Sequence, residues 1–191
     1  EMELVFATNN VNKLSEIRSL VPLDVNILSL SDISCYEELP ETSNTIEANA
    51  LQKARYIYDK YGFNCFADDT GLEIDSLDGE PGVYSARYAG PTCNAENNIK
   101  KVLYKLRNKK RNARFRTIIS LIIDGNEESF EGECLGSITE EVLGSSGFGY
   151  DPIFKPSGCS LTFAQMTKKS KGLISHRGIS VRKLVDYLSE L

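Results

Sequence analysis

Short apolar runs alternate with amphipathic stretches along this chain. Leu4-Val5-Phe6-Ala7 reads as a short buried strand, closed by the polar loop Thr8 to Asn12. A helix follows with Leu14, Ile17 and Val21 on one face, and Pro22 ends it. Val25 and Ile27, extending into Leu28 to Leu30, form a second strand, and a polar loop with Pro40 runs to about Thr45. Ile46, Ala50, Leu51, Ala54 and Tyr58 recur at helical spacing, and Gly62 caps that helix. Asn64 to Ala67 is the next strand. From Asn94 a helix is carried by Ile99, Val102, Leu103 and Leu106, and the basic run Lys105 to Arg116 reads as its solvated end and a loop. Phe115 to Asp124 is rich in β-branched residues; Gly125-Asn126 turns the chain, and Glu128 to Thr139 alternates as an antiparallel partner. Ile179 to Leu191 closes the chain as a helix. The order βαβαβ, then hairpin, then helix predicts an α/β fold on a mixed sheet.

Composition narrows the class. The chain has 191 residues, 41% apolar and 26% charged, as in an ordinary globular protein. It carries no internal repeat or linker and reads as a single domain over residues 1–191. A net charge of −5 argues against a general nucleic-acid surface. No run approaches the roughly 20 apolar residues of a membrane helix, and the start, ELVFATNN, lacks a basic leader. Five scattered cysteines form neither a zinc pattern nor a disulfide framework, so the expectation is a cytoplasmic protein with reduced thiols.

Four loops carry candidate chemistry, and Asp68-Asp69 outranks them. These two carboxylates follow the apolar run Cys65-Phe66-Ala67 and precede Thr70-Gly71, as at a strand end followed by a turn. Mg²⁺ takes hard oxygen ligands and needs only one or two protein carboxylates beside substrate phosphates. Adjacent aspartates also repel each other, which favours a bound cation or a raised pKa; a solvated acidic turn is the plainer alternative. The loop Thr8 to Lys13 opens onto a helix N-terminus, where backbone N–H groups and Lys13 suit an anion. It lacks the glycines of a Walker loop, and Asn10 or Asn12 serves equally as a helix cap. Glu41 to Thr45 brings a carboxylate, and Lys53 or Arg55 on the following helix reaches towards phosphates; a solvated loop fits as well. Ser146 to Pro152 flanks Phe148 with Gly147 and Gly149, so that Phe148 or Tyr150 can stack on a base, with Asp151 as an acceptor. Lys171 to Gly178 holds the chain's one histidine, His176, beside Arg177, whose fork of donors suits a carbonyl or phosphate oxygen. A surface turn and a helix cap are the alternatives for these last two.

Taken in order, these segments resemble the inosine triphosphate pyrophosphatase family over the whole chain. The matching residues are Thr8, Asn10 and Lys13; Asp-Asp-Thr-Gly-Leu at 68–72 continuing through PGVYSARY; GFGYDPIF from Gly147 to Phe154; and SHRG ending at Gly178. The resemblance implies an elongated mixed sheet flanked by helices, two lobes with a central cleft, a homodimer and dependence on Mg²⁺. It implies hydrolysis of ITP, dITP and XTP to the monophosphate and pyrophosphate. In that reading Glu41 and Asp69 hold Mg²⁺, Asp69 activates water with Asp68 in support, and Thr8, Asn10, Lys13, Lys53 and Thr70 meet the phosphates. Phe148, Gly149, Tyr150, Asp151, Lys171, His176 and Arg177 take the base, with Lys171, His176 and Arg177 reading its six-position oxygen. The substrate is a small nucleotide; no nucleic-acid or membrane partner is expected. Ala48, Gln165 and Lys169-Ser170 stand where the family usually has acidic residues, which bears on dimer contacts or the metal's surroundings.

Two other classes are weaker. A nucleotide-binding module without activity would not need the three carboxylates. A septum-inhibition-type pyrophosphatase gives no reason for GFGYDPIF and SHRG together, and no GxGxxG follows the first strand to support a dinucleotide oxidoreductase.

Overall fold

The computed structural model describes residues 2–191. Its first strand, β1 (Met2–Phe6), pairs in parallel with β2 (Val25–Leu28) and with β3 (Cys65–Ile74), the crossovers being α1 (Val11–Leu20) and α2 (Ile46–Tyr61). A two-residue strand, β4 (Pro81–Gly82), runs antiparallel to β3, and α3 (Ala95–Lys105) follows it. β5 (Asn112–Ile123) and β6 (Asn126–Ile138) are joined by Asp124-Gly125, both at positive φ (49° and 82°) as a two-residue primed turn requires. β7 (Phe154–Pro156) is antiparallel to β6; α4 (Lys168–Ile174) and α5 (His176–Ser189) end the chain. The strand order is β2-β1-β3-β5-β6-β7 with β4 on β3, a mixed sheet flanked by helices.

The chain divides into two compact units. The first takes the chain up to Asp69, Thr117–Gly132 and Arg177–Leu191; the second takes Thr70–Arg116 and Glu133–His176. In the first, the period of two along the strands sorts the core. Leu4, Phe6 and Phe66 pack with Ile17 of α1 and Val181 and Leu184 of α5, the Phe6 and Phe66 rings stacking at 4.7 Å. Val5, Ala7, Cys65 and Ala67 pack on the other face with Ala54 and Ile57 of α2. The second unit's core gathers Leu72, Val102, Ile153, Phe115, Phe154 and Phe163, the Phe115 and Phe154 rings lying 4.6 Å apart. Each fully buried side chain of this size stabilises by about 1.5–3 kcal/mol.

Four boundaries differ from the pattern-based reading. β3 does not stop at Ala67: it continues to Ile74, because Leu72 and Ile74 extend the alternation into the second unit's core. Asp68 and Asp69 therefore lie inside a strand, not at a turn. The basic run is not all solvated loop: β5 starts at Asn112, and Arg114 pairs with Glu73 at 2.6 Å and Glu133 at 2.8 Å. α5 begins at His176 and not at Ile179; extended Ser175 (φ −74°, ψ 158°) separates it from α4, a helix without a clear apolar period. The hairpin turns one residue earlier than Gly125-Asn126.

Candidate functional site

Alternation along β3 decides what each aspartate meets. Asp68 shares the face of Phe66, towards α1 and α5; Asp69 shares the face of Ala67, towards α2. Asp68 is fully buried and paired through both oxygens: Lys13 Nζ lies 3.1 Å from Oδ1, and Arg177 Nε donates to Oδ2 at 3.1 Å. Arg177, also buried, donates through Nη1 to Glu16 Oε1 at 2.8 Å. Burial alone would raise the Asp68 pKa, but Lys13, Arg177 and Lys53 outweigh it and hold the carboxyl well below the usual range.

Asp69 has the opposite character. No hydrogen bond or ion pair to its carboxylate is found among the described residues, and it is 9% exposed. Burial pushes its pKa up to about 6; Lys13 and Lys53 pull the other way, while Glu41 and Asp68 add to the rise. Glu41 stands on the α2 side, its Oε1 2.6 Å from Lys53 Nζ, which also donates to the Asp68 carbonyl oxygen at 2.6 Å. Burial works against the Lys53 ammonium, but Glu41, Asp68 and Asp69 hold it charged. Burial likewise works against the Glu41 carboxylate, and Lys53 keeps its pKa below the ordinary value. A buried carboxylate with no direct partner among the described residues, beside Asp68 and Glu41, could hold a divalent cation. No three His, Cys, Asp or Glu side chains converge as a closed cage among the described residues.

The loop after β1 is spent partly on the cap. Asn10 Oδ1 accepts from the backbone of Asn12 (2.9 Å) and Lys13 (3.2 Å), and Thr8 Oγ1 accepts from Asn10 N at 3.1 Å. Asn10 is thus the helix cap, and Lys13 reaches Asp68 instead of water. The pattern-based reading missed Glu16, whose only signal was its place one helical turn after Lys13.

In the second unit, Asp151 Oδ2 accepts from Phe148 N at 3.0 Å and from Lys171 Nζ at 2.7 Å. The same ammonium sits 4.8 Å from the half-buried Phe148 ring and 5.5 Å from Phe163. Gly147 permits this: at φ 74°, a Cβ there would meet Asp151 Oδ2 at 2.1 Å. His176 lies on Phe115, ring centroids 4.6 Å apart and planes at 19°. Tyr150 is no stacking platform; it is a core residue whose hydroxyl donates to Ser85 O at 2.6 Å. Thr70 is half-buried within β3, and Gly149 has open space around its Cα at φ 60°. Arg177, assigned to base reading by the resemblance, belongs to the first unit and donates to Asp68 and Glu16.

Comparison with known proteins bears on what these clusters do. Residues 4–187 match the model of the Ham1 family. The chain is 55% identical over 190 residues to a dITP/XTP pyrophosphatase of Christiangramia forsetii, covering 99% of this chain and 100% of the relative. It is 42% identical to the dITP/XTP pyrophosphatase of Bacillus subtilis, over 95% and 94% of the two chains. The solved structure of a HAM1 protein from Coxiella burnetii superimposes with a TM-score of 0.90 at 35% identity, covering 100% of both chains.

Proposed function

The chain belongs to the Ham1 family, and from that premise we propose that it hydrolyses the noncanonical purine nucleoside triphosphates dITP, ITP and XTP to monophosphate and pyrophosphate. The observation that carries this reading is the contrast between the two adjacent aspartates. One is pinned as an anion by Lys13 and Arg177; the other is buried, without a direct partner among the described residues, and pushed up to about 6. A buried carboxylate with no direct partner among the described residues can accept a proton from a water beside it.

In this mechanism Asp69 accepts the proton of an attacking water. The water oxygen bonds to the α-phosphorus, the bridging oxygen to the β-phosphorus departs, and pyrophosphate leaves with that electron pair. Mg²⁺, held by Glu41 and Asp69, supplies charge neutralisation of the triphosphate when bound. Lys13 and Lys53 add two positive charges where negative charge develops, the largest contribution in chemistry of this kind. Asp68 keeps Lys13 in place and lends its carbonyl oxygen to Lys53. Thr8, Asn10 and Thr70 are assigned to the phosphates. Phe148 offers its ring to the base, Gly149 leaves room beside it, and the Lys171 ammonium donates to a six-position oxygen. Asp151, His176 and the Tyr150 hydroxyl bond keep that lysine and its loop in place. An amino group at the six-position is a donor and would face the ammonium donor to donor, which disfavours adenine.

We also propose a homodimer, on the family resemblance, and cytoplasmic residence, which suits five free thiols. A panel of nucleotides with and without Mg²⁺ tests the reaction. Pyrophosphate and IMP from ITP are expected only with the metal; orthophosphate and IDP would overturn attack at the α-phosphorus.

A further inference from the structure

The segment between β2 and α2 is gripped from both sides of Glu41. On one side the Asn9 side chain spans it: Nδ2 donates to Glu37 O at 3.3 Å, and Oδ1 accepts from Leu39 N at 3.1 Å. The Glu37 carboxylate is tied in turn to α2, accepting from Tyr56 Oη and Tyr61 Oη, both at 2.8 Å, and from Lys60. On the other side Gln52 takes Thr42 at two atoms, accepting from its N at 2.9 Å and donating to its Oγ1 at 2.8 Å. Asn49 Oδ1 accepts from Ser43 N at 2.9 Å. Glu41 itself is 39% exposed in its side chain, and Lys53 is its ion-pair partner. A carboxylate that exposed has many rotamers, and its backbone must be fixed by its neighbours if it is to meet a cation.

We infer that Asn9 is a positioning residue for the metal site. It ties the Glu41 segment to the loop that also sets Lys13. Its amide works like one rung of a β-ladder, satisfying a carbonyl and an N–H two residues apart. Asn9 is exposed, so its hydrogen bonds stabilise the fold little. Their effect falls on where Glu41 can go. The inference rests on Glu41 being a metal ligand.

The test compares Asn9→Ala, Glu37→Gln and Glu41→Gln with the wild type. Direct titration with Mn²⁺ followed by electron paramagnetic resonance gives metal affinity without turnover. Amide exchange reports the Leu39 N–H, and Tm reports the fold. Asn9→Ala is expected to weaken Mn²⁺ binding by about tenfold, the lower end for residues that hold metal ligands. It should also speed exchange at Leu39 and lower Tm by no more than about 4 °C. Activity should return at high Mg²⁺ with the KM for ITP unchanged. Glu37→Gln should shift metal affinity in the same direction. If Glu41→Gln weakens the metal and Asn9→Ala does not, the positioning role is overturned while Glu41 stays a ligand. Should Glu41→Gln leave affinity unchanged, both fail.

Discussion

Arg177 and Asp68 meet in a buried ion pair, Nε to Oδ2 at 3.1 Å, across 109 residues of sequence. Glu16 shares the same guanidinium, so removing Arg177 takes one buried positive charge away from two carboxylates and leaves Lys13 on Asp68. Arg177→Ala should therefore destabilise the protein by about 3–5 kcal/mol, as breaking a buried pair does. It should lower kcat/KM for ITP and ATP by a similar factor. Arg177→Lys keeps a charge and separates folding from chemistry, because it restores one pair without the fork. A variant that spares ATP and damages only ITP would return Arg177 to base reading.

Asp69→Asn removes the proposed base while keeping size. A fall in kcat of at least about 100-fold is expected, on the scale of general-base contributions. Near-full activity would move the base elsewhere.

The same substitution has a signed effect on stability. Burial raises the folded-state pKa of Asp69 from 3.8 to about 6, so the folded protein holds this proton more tightly than the unfolded chain. That contribution is full below pH 3.8 and is lost as pH rises through about 6. At pH 8 without metal the ionised group costs on the order of 3 kcal/mol, from about 1.4 kcal/mol per tenfold change in proton affinity. Asn carries no charge, so metal-free Asp69→Asn should melt higher than wild type at pH 8 and alike at pH 4. Equal Tm at pH 8 would mean that water compensates Asp69.

Metal binding should release a proton over the same range. If Asp69 holds the metal as proposed, Mg²⁺ displaces its proton below pH 6, and the apparent affinity should rise roughly tenfold per pH unit up to about 6, then level off. Calorimetry at pH 5.5 in two buffers of different ionisation enthalpy measures the proton directly; its absence would remove Asp69 from the metal site.

Gly147→Ala tests the second unit's loop. Its Cβ would collide with Asp151 Oδ2, and a positive φ of 74° strains any other residue. A loss of about 1–3 kcal/mol is expected, with a raised KM for ITP as the Lys171–Asp151 pair shifts.

Much of the first unit follows from pattern alone. The helix from Ile46 to Tyr61 has an apolar stripe, a Thr45 cap and left-handed Gly62 at its end, and each of these is local. Pattern alone ends β3 at Ala67 because two aspartates break an apolar run, although Leu72 and Ile74 resume the alternation three residues on. The charges of Asp68 and Asp69 are visible in sequence; their contrast is not. It depends on Lys13 and Arg177, brought from α1 and α5 to a single face of a strand, and on the absence of such a partner for Asp69 among the described residues. Glu16 is illegible for the same reason: a glutamate on a helix is usually solvated, and only tertiary packing buries this one.

The strand that carries both aspartates sets a rule of parity. Phe66 is fixed opposite Phe6 by strand pairing, and Asp68 follows it by two residues. Losing or gaining one residue in between would send Asp68 towards α2 and Asp69 towards Arg177, with every amino acid type preserved. Composition would be intact and the acid–base assignment inverted. Length variation at this point of the chain can be tolerated only in even steps, a constraint that substitution scanning alone would never reveal.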